Sequence, residues 1–156
     1  MRPFDYVEIR VPAKPQYVGV ARLTISGLAS RVGFTYDEIE DLKIAASEAI
    51  TNAVQHAYSE VDEGEVVVGC ALYPDKMEIM VADHGKSFDF EETKKKVGPY
   101  HEQQEVQFLR EGGLGLYLIE TLMDEVKVHH QDGVTVFMTK YVGEEQVEEN
   151  VETISS

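Results

Sequence analysis

Between Thr35 and Tyr58 an apolar stripe runs through Ile39, Leu42, Ala46, Ala49, Ile50, Ala53 and Ala57. Positions three, four and seven apart share one side of an α-helix, so this spacing predicts a long amphipathic helix that must bury one face. Thr35 followed three residues on by Glu38 marks its start, because each side chain can bond the other's free backbone N–H. Such a helix needs a broad apolar partner, and the chain offers two kinds. Upstream, Gln16 to Val32 places Val18, Ala21, Leu23, Ile25, Leu28, Ala29 and Val32 at helical spacing, and Gly33 ends the run. Elsewhere the period falls to two. Phe4 to Val11 sets Tyr6, Glu8 and Arg10 against Val7, Ile9 and Val11, and Glu65 to Leu72 and Met77 to Asp83 flank a Pro74-Asp75 turn. A helix is expected from about Gly113 to Met123, followed by two strands joined through Asp132-Gly133.

Helices that must cover strands joined as hairpins define an α+β fold. The expected architecture is a two-layer α/β sandwich, a mostly antiparallel sheet with helices on one face. Residues 84–112 hold no sustained period, and a patternless span of that length inside a compact domain marks a mobile or functional loop. A single domain is expected over residues 1–143, with residues 144–156, acidic and poor in apolar side chains, as a flexible tail.

Charge and cysteine content narrow the function. Fourteen Lys and Arg face 29 Asp and Glu, a formal charge of −15, which repels nucleic-acid phosphates and anionic membranes and suits a basic protein partner. No apolar run approaches the ~18 residues needed to cross a bilayer, and no signal peptide is visible at the start. The single cysteine, Cys70, cannot form an internal disulfide, so a cytoplasmic location is expected.

Three segments carry chemistry. In SEAITNAVQHAY, residues 47–58, Glu48, Asn52 and His56 recur every four residues and stack along one side of the long helix. A carboxylate one turn from a carboxamide suits a metal-assisted site, since the amide oxygen is a neutral hard ligand for Mg²⁺ and the acid can take a proton; the other reading, favoured for this motif by itself, is a solvated helix face. In VADHGKSFD, residues 81–89, Asp83 ends the apolar row of Met77, Ile79 and Val81, where it needs a donor such as an adenine amino group. Gly85 leaves room for a flat ring against the backbone, the other reading, favoured for this motif by itself, being an ordinary Asp-x-Gly turn. In EGGLGLYL, residues 111–118, glycines precede a helix whose first N–H groups are free to meet phosphate oxygens. No Gly-Lys-Ser/Thr follows, so this is not a Walker loop.

The series of ExxxN on a helix, DxG after a strand, a long loop, GGLGL before a helix and a strand with Thr135 resembles the Bergerat nucleotide-binding fold. Histidine kinases, type II topoisomerases, mismatch-repair ATPases and heat-shock chaperones share that fold. Within it, SEAITNAVQHAY, DLKIAASEA, SFDF, GGLGLYLIETLMDEV and DGVTVFMTKY resemble the bacterial anti-sigma serine kinases, over roughly residues 5–141. The resemblance implies ATP and Mg²⁺ as ligands, with Asn52 on the metal, Glu48 as general base and Asp83 on the adenine amino group. It further implies Gly85 beneath the ring, Thr135 supporting Asp83 through its hydroxyl, and Gly113, Leu114 and Gly115 closing over the phosphates. His56 is left between a phosphate contact and packing, Arg110 between a phosphate contact and solvent, and Glu111 is an odd neighbour for ATP. Arg22, on the first helix, stands where relatives use a basic residue to grip partner proteins, the other reading being a solvated arginine.

The implied function is a kinase that sequesters a stress-response sigma factor and phosphorylates a serine of its anti-anti-sigma antagonist, as a homodimer. The alternative is a nucleotide-binding module that captures a sigma factor without chemistry, which has no need of an acid at Glu48. The catalytic half of a histidine kinase is disfavoured, because no helical hairpin bearing an acceptor histidine precedes the domain.

Overall fold

The computed structural model describes residues 4–60, 64–83, 98–99, 117–129 and 134–143, without the side chains of 56–60 and 98–99. In chain order they form β1 (Asp5–Pro12), a 3-10 turn (Pro15–Tyr17), α1 (Val18–Val32), α2 (Tyr36–Glu60), β2 (Glu65–Leu72), β3 (Lys76–Ala82) and β4 (Gly98–Pro99). Residues 117–122 are a short helix, α3. β5 (Glu125–His129) and β6 (Thr135–Tyr141) complete the fold. The six strands form one sheet in the order β1-β2-β3-β6-β5-β4, antiparallel at every pairing. The expected α+β sandwich is the observed one. Gly98–Pro99 forms an edge strand that periodicity did not reveal, two residues being too short to show a period.

Local chemistry sets the helix ends. Thr35 N–H donates to Glu38 Oε1 at 2.8 Å and Glu38 N–H to Thr35 Oγ1 at 3.2 Å, the reciprocal cap expected from the sequence. The other Glu38 oxygen accepts the Gly143 N–H at 3.3 Å, tying the start of α2 to the chain just beyond β6. α1 begins two residues later than its apolar run suggests, because Pro15 opens a 3-10 turn first. It ends at Gly33, whose φ of 101° is the left-handed conformation that glycine adopts without a Cβ penalty.

The main core lies between the helices and one sheet face. Ile25, Leu42, Ile50, Met77, Ile79 and Met138 are fully buried there, each contributing about 1.5–3 kcal/mol by leaving water. Ile119 and Met123 bring α3 onto the same face. Leu23 is a correction to the expected stripe: it is 73% exposed, about 160° around α1 from Ile25 at 100° per residue. The other sheet face carries a smaller cluster of Val67, Ala71, Met80, Ala82 and Phe137, packed by Phe4, Tyr6 and Tyr73. Tyr6 lies over Gly69, so any Cβ at that position would collide with its hydroxyl. β3 is therefore buried on both faces, and Asp83 leaves the end of a central strand of the sheet.

Candidate functional site

Asp83 is 6% exposed, a burial that a carboxylate tolerates only with donors around it. The strand after the turn supplies one. Val134 N–H donates to Asp83 Oδ1 at 2.9 Å, while the Asp83 N–H donates to the Val134 carbonyl at 3.2 Å. The side chain thus takes the place of a backbone carbonyl at the end of the β3–β6 ladder and is fixed in direction. Because Val81 pairs with Val136 on the helix-covered face, the alternation carries Asp83 and Val134 to that face as well. Both lie on the α2 side of the sheet.

Thr135 does not join them. It pairs with Ala82 and shares its strand face with Phe137, two residues of the cluster on the far side of the sheet. Its hydroxyl is buried there, 4% exposed for the residue, so the expected hydroxyl support of Asp83 is replaced by the Val134 backbone. The signal for Val134 was available in the alternation counted back from Met138 and Val136, but only the strand register says which face is covered.

α2 packs on the same face of the sheet as Asp83. Its buried line runs through Leu42, Ala45, Ala46, Ala49, Ile50, Ala53 and Val54, and Glu48 and Asn52 are half-buried along one flank of it. Small alanines at 45, 49 and 53 let α2 approach the sheet closely. The Asn52 amide nitrogen is buried and, among the described residues, makes no hydrogen bond. An orphaned buried amide costs about 1–3 kcal/mol, a cost removed when a ligand or ion meets it. A flip about the last torsion presents the amide oxygen in the same place, which is what a hard cation requires. α2 continues as backbone through His56, whose side chain lies outside the described residues, as do Gly85, Arg110, Gly113, Leu114 and Gly115. Arg22 is exposed on α1, next in sequence to the exposed Leu23.

A buried, directed carboxylate thus ends a central strand on the sheet face that α2 covers, and α2 presents an acid and an orphaned amide one turn apart. A family model described as a histidine kinase-like ATPase domain matches residues 11–140, and the chain belongs to that family. Within it the chain is similar along its whole length to proteins named serine-protein kinase RsbW. The relative from Oceanobacillus iheyensis is 56% identical over 156 residues, covering 100% of this chain and 99% of its own. That from Bacillus subtilis is 60% identical over 144 residues, 92% of this chain and 90% of its own. One from Listeria monocytogenes is 54% identical over 152 residues, 97% of each.

Proposed function

We propose that this chain is an ATP-dependent protein-serine kinase that also sequesters a stress-response sigma factor. The observation that carries the nucleotide site is the pairing of Asp83, buried and held by Val134, with the unbonded Asn52 amide on α2. The relatives' name, serine-protein kinase, supports phosphoryl transfer as the reaction. Asp83 accepts from the adenine amino group through its carboxylate, with Gly85 beneath the ring. Asn52 would hold a Mg²⁺ ion through its amide oxygen, and the ion would supply charge neutralisation at the phosphates. Gly113, Leu114 and Gly115 close over the triphosphate, with His56 and Arg110 as further phosphate contacts.

Glu48 lies one turn before Asn52 and takes the proton from the acceptor serine. The freed oxygen forms a bond to the γ-phosphorus as the bond from that phosphorus to the β–γ bridging oxygen breaks. Phosphoserine and ADP are the products. The substrate is the serine of an anti-anti-sigma protein, and the competing partner is the sigma factor itself.

Arg22 supports the partner reading. It is an exposed cation on an acidic chain, next in sequence to Leu23, an apolar side chain 73% exposed, with open space around Gly19 for a partner to approach. A homodimer and a cytoplasmic location accompany this function, in keeping with a substrate and partners found in that compartment. No described helix is long and apolar enough to cross a membrane. Incubation with labelled ATP, Mg²⁺ and a candidate anti-anti-sigma protein tests the reading. Label on a serine of that protein is expected, and binding of ATP without transfer would leave only a sequestering module.

A further inference from the structure

Lys140 is a lysine 11% exposed in its side chain, an uncommon state that demands partners on every donor. It stands on β6 opposite Met77, on the helix-covered face. Its ammonium donates to the carbonyl of Leu122, the last residue of α3, at 2.8 Å, and lies 3.9 Å from Asp41 Oδ2 on α2. One cation therefore joins the sheet, α2 and the C-terminal end of α3. That is the end where a helix's unpaired carbonyls concentrate negative charge. Two further bonds hold the chain just beyond α3 to the same strand. Asp124 N–H donates to Thr139 O at 2.9 Å, and Tyr141 N–H donates to Asp124 Oδ2 at 2.7 Å.

The junction is remote from the nucleotide pocket but on its frame. Lys140 is opposite Met77, six residues before Asp83, about 20 Å along a strand. Asp41, Glu48 and Asn52 follow one another at i, i+7 and i+11 on one flank of α2, so the same helix edge that bears the pocket residues bears the Lys140 partner, about 16 Å away. The described part of α3 follows Gly115 by two residues in the sequence. Fixing the far end of α3 against α2 sets where its near end points.

We propose that Lys140 is a positioning residue for nucleotide binding, holding α3 to α2 at the end away from the pocket. The proposal rests on the nucleotide site assigned above. Mg-ATP affinity and single-turnover transfer are measured on the full chain for wild type, Lys140→Met, Lys140→Arg and Asn52→Ala. Lys140→Met keeps the length and loses the charge, so ATP should bind about tenfold more weakly, the scale of one charge-assisted hydrogen bond. The transfer rate at saturating ATP should stay within about twofold, since no reacting group moves. Lys140→Arg retains a donor and the charge and should restore affinity to within about threefold. Should Lys140→Met not fold, Lys140→Gln replaces it with the same direction expected. Wild-type affinity in the uncharged variant, or an Arg variant as weak as it, overturns the proposal while leaving the site intact. Wild-type affinity in Asn52→Ala removes the nucleotide site, and the proposal with it.

Discussion

Asp83 holds the Val134 N–H and, in the proposed function, an adenine amino group, and substitution separates the two roles. Its Oδ1 accepts the Val134 N–H at 2.9 Å in a place only 6% exposed, so solvent offers little substitute if the acceptor is lost. Asp83→Ala removes a charge-assisted bond and strands that N–H at the head of β6, which should cost about 1.5–3 kcal/mol of stability. Asp83→Asn keeps an oxygen for Val134 and should cost about 1 kcal/mol or less. The ligand side behaves differently. The amide NH₂ of Asn would then stand where the second carboxylate oxygen stood, and a donor would meet the adenine amino group. One unmatched donor pair of about 1–3 kcal/mol lowers ATP affinity roughly 5- to 150-fold. A guanine base presents a carbonyl at the same place, which the Asn amide can satisfy. Urea denaturation of wild type, Asp83→Asn and Asp83→Ala, with ATP and GTP titrations of each, reads all four quantities. Equal loss of ATP and GTP in Asp83→Asn, or Asp83→Ala as stable as wild type, would refute the double role and return Asp83 to an ordinary turn residue.

Glu48→Gln should leave ATP binding near wild type and slow phosphoryl transfer by ~10²-fold or more, as read by single-turnover labelling at saturating ATP. Equal transfer rates would remove the general base. Arg22→Ala should weaken capture of the sigma factor or of the anti-anti-sigma protein by about 30-fold or more while ATP affinity holds. Titrating both partners at fixed ATP checks it, and wild-type constants for both would falsify it. Burial pushes the Cys70 thiol up to about 12, so it stays protonated through the neutral and mildly alkaline range. Alkylation at pH 8 should therefore be slow in the native protein and become fast in denaturant, and rapid native labelling would show that β2 opens.

The fold was legible because its elements are long and their periods differ. α2 announces itself through a stripe of seven apolar residues and a reciprocal Thr35–Glu38 cap, both intrinsic to the sequence. β2 falls where the turn residues Glu63-Gly64 and Pro74-Asp75 put it, from Glu65 to Leu72. What stayed hidden depends on neighbours. Leu23 reads as core by proximity to Ala21 and Ile25, yet faces water, since one helical turn has room for both sides of the stripe. The second apolar cluster was equally invisible. Met80 and Ala82 look like solvent-facing alternates of β3 until β2 and β6 place Val67 and Phe137 beside them and Tyr6 crosses Gly69.

The site shows the same division more sharply. Spacing puts Glu48 and Asn52 on one side of a helix and Asp83 at the end of an apolar strand row, and the order of the motifs along the chain, not any one spacing, singles them out. The partner of Asp83 could not be read this way. Thr135 carries a hydroxyl and Val134 does not, so residue chemistry favours the wrong one of two neighbours. The register decides between them: Val81 opposite Val136 and Ala82 opposite Thr135 send Thr135 to the far face and leave Val134 beside Asp83. Val134 then acts through its backbone N–H, a donor that every residue but proline provides, and its side chain need offer no hydrogen bond. A contact made by the main chain writes no residue type into the sequence. The constraint survives only as geometry, in a carboxylate that must follow β3 and an amide that must open β6 directly across from it.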